Sequence, residues 1–321
     1  MTARAPRRTA KPLLGAVEGG GTKFVCAVGT EPRDIRARER IDTTSPGETL
    51  RRVADFLAEA SRGRLAGLGV ACFGPLELDE RAPHYGSILK TTKPGWSHAP
   101  IVAPLRARLG VPVGIDTDVN GAALAEWRWG ASRGCDPAVY LTVGTGIGGG
   151  AIVRGRPLRG LLHPEMGHVL LPRLSWPDGT PDAFPGVCRF HGACFEGLVS
   201  GPALAARLGA PAETAGPEHP MWELVAGYVA LALAQYVLVL SPQRLVLGGG
   251  VFQQAHLLER VQRRLPEVLN GYIPRVQIAE GVDRYVVAPY FGQEAGLMGA
   301  FALAALAARH GSRRAPPPDA D

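Results

Sequence analysis

One design occurs twice in this chain, and it restricts the possible folds more than any other feature. LLGAVEGGGTKFVCAVG (13–29) and AVYLTVGTGIGGGAIVRG (138–155) each read as an apolar strand, a glycine turn and a second apolar strand, which is a β-hairpin signal. A hairpin heading each half of the chain points to two related α/β lobes around a cleft. The length agrees: 321 residues is about twice a usual single domain. Hydrophobic residues at 46% and charged residues at 20% are ordinary globular usage and exclude a disordered chain. Against that background, 42 glycines and 28 prolines act locally, mostly at turns.

The segments between the hairpins follow helix and strand periods. TLRRVADFLAEASR (49–62) has apolar residues at 50, 53, 54, 57 and 60, a helical spacing. LAGLGVACFGPL (65–76) and VPVGID (111–116) read as strands, and GAALAEWRWGA (121–131) as a helix with Asp118 and Asn120 at its N-terminus. LVLGGGV (245–251) follows a strand and precedes a helix at about 254–268, and AGLMGAFALAALAARH (295–310) closes the ordered chain. The ends, 1–12 and 311–321, read as disordered tails.

Charge and composition remove several function classes. The net charge is +6, but Arg4, Arg7, Arg8 and Lys11 in the first twelve residues account for most of it. The rest lacks the electrostatic footprint of a nucleic-acid binder. No apolar export segment follows the basic arm. Leu224 to Leu240 is interrupted by Gln235 and ended by Ser241-Pro242, which suits a buried helix better than a membrane span. Five cysteines are an odd number, and a cytoplasmic location would keep them reduced.

Three glycine clusters, each after an apolar strand, offer backbone N–H groups to phosphate oxygens, although any single cluster also serves a tight turn. GTGIGG (144–149) matches the dinucleotide fingerprint, but a strand rather than a helix follows it, so that reading fails. No P-loop motif occurs. Phosphoryl transfer to an alcohol needs positioning, a metal to spread charge and a carboxylate to take the hydroxyl proton. IDTDVNG supplies Asp116 and Asp118 at the junction of the halves; Asp118 or Asn120 can equally cap the next helix. In HPEMGHVLLPRLSWPDGTPDAFPGVCRFHGACFEG (163–197), Cys188, His191 and Cys194 form C-x2-H-x2-C, with His168 twenty residues upstream. That set suits a tetrahedral, structural zinc ion, the alternatives being a Cys188–Cys194 disulfide or incidental clustering. Glu165 and Glu196 flank it, placed either to bind sugar hydroxyls or merely to face water.

Read together, EGGGTKF, FGPL, TTKPGW, DTDVNGAALAE, GTGIGGG, HPEMGH, CRFHGACFEGLVSGPAL and LVLGGGV, in this order over about residues 13–308, resemble the ROK sugar kinases. Within that family they look most like the bacterial fructokinases. The resemblance implies a two-lobed, actin-like ATPase fold (ribonuclease H-like, α/β) with a cleft between lobes, the lobes being 13–118 plus 292–310 and 119–291. It also implies ATP-dependent phosphorylation of a hexose, fructose before glucose, mannose or an N-acetylhexosamine. Asp118 resembles the general base, and Asn120, Glu165, His168 and Glu196 the sugar contacts. Gly20, Gly21, Thr22 and Lys23 resemble the first phosphate loop, Gly144, Thr145, Gly146 and Gly148 the second, and Gly248, Gly249 and Gly250 the adenosine side. Magnesium would be held through water by Glu18, and zinc by His168, Cys188, His191 and Cys194.

Three positions depart from the wider family's pattern. Glu18 stands where most members have Asp, Thr117 where they have Asn, and His191 where they have a third Cys; the fructokinase branch shares all three. The family's repressors carry a DNA-binding domain ahead of the kinase fold, and about twelve residues precede the first strand here. The expectation is a cytoplasmic homodimer with no nucleic-acid or membrane partner, its partners being ATP and a hexose.

Overall fold

The computed structural model describes residues 11–314, with side chains up to Arg309. The tails expected at 1–12 and 311–321 lie outside the described residues, apart from Lys11-Pro12 and the end of a helix. Both glycine-turn hairpins are present. The first is β1 (Leu14–Gly19) and β2 (Lys23–Glu31), antiparallel and closed at Gly19 opposite Phe24. A strand not expected from sequence, β3 (Asp34–Asp42), extends this hairpin. Its side chains are mostly solvated, as in IRARER, so its apolar pattern is too weak to announce a strand.

Helix α1 (Pro46–Ser61) begins at Ser45, whose hydroxyl accepts from the Glu48 amide at 3.4 Å, and it buries Leu50, Val53, Ala54 and Leu57. Capping residue, Pro at the first turn and a periodic apolar stripe together specify it. β4 (Gly67–Cys72), α2 (Val102–Leu109) and β5 (Val113–Thr117) follow. The sheet order is β3-β2-β1-β4-β5, with β1, β4 and β5 parallel. Trp96, from the TTKPGW segment, is fully buried under this sheet, stacks on Phe24 at 5.5 Å and donates its indole N–H to the Thr44 carbonyl at 2.9 Å.

The second hairpin is repeated in context as well as in shape. After α3 (Asp118–Trp129) come β6 (Ala138–Val143), β7 (Ile147–Val153) and the short β8 (Arg156–Pro157). A long connection then carries α4 (Phe195–Val199) and α5 (Gly201–Leu208). Next are α6 (Met221–Leu240), β9 (Arg244–Gly248), α7 (Ala255–Leu269), the single turns α8 (Val276–Ala279) and α9 (Val282–Tyr285), β10 (Val286–Val287) and α10 (Ala295–Arg314). The second sheet runs β10-β9-β6-β7-β8, with β6 and β7 antiparallel and β6, β9 and β10 parallel. It is the order of the first sheet with corresponding strands, so the internal repeat is a repeat of topology.

The described residues form two compact units, one of those up to Asp118 together with those from Ala300 onward, and one of Val119–Gly299. In the first, α10 lies so close to β4 that a Cβ on Gly69 would sit 1.9 Å from the Ala300 carbonyl oxygen. In the second, α6 is apolar on all sides and long enough to cross a membrane, but it is mostly enclosed by the core, with Leu224, Val225, Tyr228, Val229 and Leu233 buried. An all-apolar helix in a globular unit is a core helix.

Candidate active site

In the first unit the parallel register aligns the carboxyl ends of three strands. Glu18 and Gly19 pair with Ala71 and Cys72, which pair in turn with Asp116 and Thr117. Ligands of open α/β sheets bind at this edge. Asp118, the first residue of α3, therefore emerges beside the first glycine turn. Cys72 links the two: a Cβ on Gly19 would come within 2.9 Å of its Sγ, while burial and then the Asp118 charge push its thiol up. Thr43 braces the turn, its hydroxyl donating to the Gly20 carbonyl at 2.8 Å and its amide to Thr22 at 3.0 Å. Gly21, Thr22 and Lys23 are exposed, and a Cβ on Gly21 would meet nothing within 4 Å.

In the second unit two glycine clusters are brought together. Gly249 has φ +94°, and a Cβ there would lie 2.3 Å from the Val143 carbonyl oxygen at the end of β6. Gly248–Gly250 thus packs against the entry of the Gly144–Gly146 turn, an arrangement only glycine permits. Gly148 has a different reason to be glycine, because a Cβ there would sit 2.7 Å from Val119 Cγ1. The next two glycines pass equally close to Met166 and Asn120. The run 148–150 is a packing surface that lets the start of α3 and the Met166–His168 turn lie directly on β7.

Asn120 is fully buried over that run. Glu165 is exposed, with Oε1 3.4 Å from His163 Nδ1, and its carbonyl accepts from the His168 amide at 3.0 Å. Glu196, in the first turn of α4, accepts the Ile147 amide on Oε2 at 2.8 Å. Asn120, Glu165, His168, Glu196 and the second glycine turn all belong to this unit, whereas Asp118, Glu18 and the first glycine turn belong to the other.

The Cys/His quartet is assembled. Ligand atoms of His168, Cys188, His191 and Cys194 all lie within 4.8 Å of one another. His168 Nδ1 is 3.8 Å from Cys188 Sγ and 3.6 Å from Cys194 Sγ, and His191 Nδ1 is 3.8 Å from Cys188 Sγ. A tetrahedral zinc ion with Zn–S of ~2.3 Å and Zn–N of ~2.0–2.1 Å separates its ligands by roughly 3.4–3.8 Å, so the donor set fits that ion. Reciprocal backbone bonds between Cys188 and Gly192 form the knuckle carrying His191. All five cysteines are free thiols. Burial pushes the Cys194 thiol up to about 11, against a hydrogen bond from Gly197 and with Cys188 and Glu196 adding to the rise. A cation that binds the thiolates therefore displaces protons as it loads.

Sequence inspection missed a second anchor of this ligand loop. Asp182, 1% exposed at its side chain, accepts both terminal nitrogens of Arg207 at 2.8 and 2.9 Å, the Tyr228 hydroxyl at 2.7 Å and the Phe184 amide at 3.2 Å. Burial opposes its ionisation, but the Arg207, Tyr228 and Phe184 hydrogen bonds and the Arg207 charge hold its carboxyl at about 2. The node ties the loop to α5 and α6. Its members are 25 and 46 residues apart, so no local pattern reveals it.

Known proteins give this geometry a context. A fructokinase from Zymomonas mobilis is 43% identical over 301 residues, covering 92% of this chain and 97% of its own. A fructokinase from Streptococcus mutans is 36% identical, covering 91% and 97% respectively. The solved structure of a ROK hexokinase from Thermus thermophilus superposes with a TM-score of 0.74 at 28% identity, covering 93% of this chain and 99% of that one. The fold is thus the actin-like ATPase fold of the ROK sugar kinases. With the sequence profile of that family matching residues 14–307, and with its motifs gathered at strand ends in two topologically repeated units, the chain belongs to the ROK family.

Proposed function

We propose that this protein is a fructokinase, transferring the γ-phosphoryl group of ATP to the 6-hydroxyl of D-fructose. The observation that carries the reading is identity of 36–43% to fructokinases across more than nine-tenths of both chains. In the step itself the hydroxyl oxygen attacks the γ-phosphorus, the bond to the β-phosphate oxygen breaks, ADP leaves and the hydroxyl proton passes to the Asp118 carboxylate. Asn120, Glu165, His168 and Glu196 hold the sugar. His168 turns Nδ1 toward the sulfurs, leaving Nε2 for a sugar hydroxyl. Gly20 and Gly144 close the two turns with their own N–H groups, and Gly21–Lys23 and Thr145–Gly146 cradle the phosphates through backbone N–H groups, with Gly148 shaping the strand behind them and Gly248–Gly250 meeting the adenosine.

Two metals belong to this reading. Glu18 is a half-buried oxygen donor at the end of β1 beside the first glycine turn, chemistry that suits magnesium held through water. Magnesium, when bound with ATP, neutralises charge on the phosphates. His168, Cys188, His191 and Cys194 would hold zinc, which closes the ligand loop. We further read the protein as a homodimer, supported by exposed apolar side chains on the second unit at Leu170, Leu238 and Val239, where Gln235 donates to the Leu170 carbonyl. Its five free thiols suit the reducing cytoplasm.

A coupled ADP-release assay with Mg-ATP, run on fructose, mannose, glucose, N-acetylglucosamine and no sugar, tests the function. Fructose is expected to give the highest kcat/KM, with Asp118→Ala silent on every sugar. A higher value for another hexose would overturn the specificity, and a bound sugar with no ADP release would make the protein a sensor. Stripping the metal with a chelator is expected to lower the melting temperature and raise the KM for sugar together, and reloading zinc to release protons. Unchanged sugar affinity and stability in metal-free protein would refute the structural metal.

A further inference from the structure

We infer that Glu196 positions the nucleotide's phosphates as well as the sugar, acting through the main chain of the Gly144–Ile147 turn. The inference rests on the kinase reading and adds to Glu196 a second role, toward the nucleotide. Its basis is a continuous set of contacts inside the second unit. Cys194 is fully buried, its Sγ faces His168 Nδ1 at 3.6 Å, and the next residue, Phe195, donates its amide to the Val169 carbonyl at 2.9 Å. One residue further, Glu196 Oε2 accepts the Ile147 amide at 2.8 Å. At the far end of the same segment the Gly201 amide donates to the Gly144 carbonyl at 2.7 Å. The turn is therefore gripped at its entry by Gly201 and at its exit by Glu196, and it closes on itself through the Gly144 amide and the Gly146 carbonyl at 2.9 Å.

Glycine at 146 is part of this grip, since a Cβ there would stand 2.8 Å from Glu196 Oε2. A carboxylate repels phosphate, so its influence on the nucleotide runs through the shape of the turn and not through contact. It occupies one backbone donor, Ile147 N–H, and fixes the turn that presents the others. A carboxylate has two oxygens, so Oε1 stays available to a sugar hydroxyl while Oε2 holds the turn.

Two conservative variants separate the roles. Glu196→Gln keeps an acceptor oxygen for Ile147 N–H and loses the charge; Glu196→Asp keeps the charge and is one methylene too short. Affinity for a non-hydrolysable Mg-ATP analogue is measured by calorimetry without sugar, alongside hydrogen exchange at the Ile147 amide. Glu196→Asp is expected to bind the analogue about 10-fold more weakly, the scale of one lost charge-assisted hydrogen bond, and to exchange Ile147 faster. Glu196→Gln is expected to stay within about 2-fold of wild type for the analogue while its KM for sugar rises. Wild-type nucleotide affinity and Ile147 protection in Glu196→Asp would overturn the inference and leave the kinase reading standing. Failure of the wild-type protein to bind the analogue would instead sink the kinase reading, and this inference with it.

Discussion

Asp118→Asn is expected to lower kcat by about 10³-fold or more, within the range for loss of a positioned general base, while the affinities for sugar and nucleotide change less than about 3-fold. The variant is chosen for what it preserves. Asp118 is the first residue of α3, and Asn is as good as Asp at a helix N-terminus. If Asp118 served only the helix, Asn would keep both fold and turnover. Single-turnover kinetics with Mg-ATP and fructose, together with a thermal melt, check the result; a well-folded variant turning over at the wild-type rate would remove Asp118 as the base. The buried neighbourhood of Cys72, whose thiol burial and the Asp118 charge push up, sets this carboxylate at the strand edge shared with the first glycine turn.

The second large effect concerns stability. Arg207→Met is expected to destabilise the second unit by about 3 kcal/mol, because the buried Asp182 carboxylate loses its bidentate partner and keeps only Arg173, 3.3 Å from Oδ2. Methionine keeps the apolar stem of the Arg207 side chain but loses the guanidinium, and with it the ion pair to Asp182 and the cation–π contact over the Phe184 ring at 4.2 Å, so the loss reads the cation. Urea unfolding measures it, and a change below about 0.5 kcal/mol would show that the node contributes little. The same node gives a pH dependence with a defined sign. Asp182 has a folded pKa of about 2 against an ordinary 3.8, so its contribution is fully present above about pH 5 and is lost as pH falls toward 2. The shift corresponds to roughly 2 kcal/mol. Wild-type stability should therefore fall on acidification through that window, and Arg207→Met should show a shallower fall there.

Much of the site was legible because its signals are local. The strand–glycine–strand pattern at 13–29 and 138–155 survives as β1–β2 and β6–β7, since a period of two and a turn need no distant partner. The quartet of His168, Cys188, His191 and Cys194 was legible for a similar reason: metal chemistry restricts both residue type and spacing. β3 was not legible, because its side chains face water and only its pairing with β2 makes it a strand. The tail helix likewise runs to Arg314, past the point where the apolar pattern ends.

Several glycines show where sequence reading stops. Gly144, Gly148 and Gly249 look alike in the chain, yet Gly148 makes room for Val119 and Gly249 for the Val143 backbone. Periodicity and Cys/His spacing, which act over a few residues, were enough for the sequence by itself to determine the hairpin repeat, the Cys/His quartet and an acidic residue at a strand-to-helix junction. The Asp182 node, the Glu196–Ile147 bond and the purpose of each glycine were decided only by the tertiary structure. They join residues 25 to 49 positions apart, and the energy of such a bond depends on burial and geometry that exist only once the chain has closed around it.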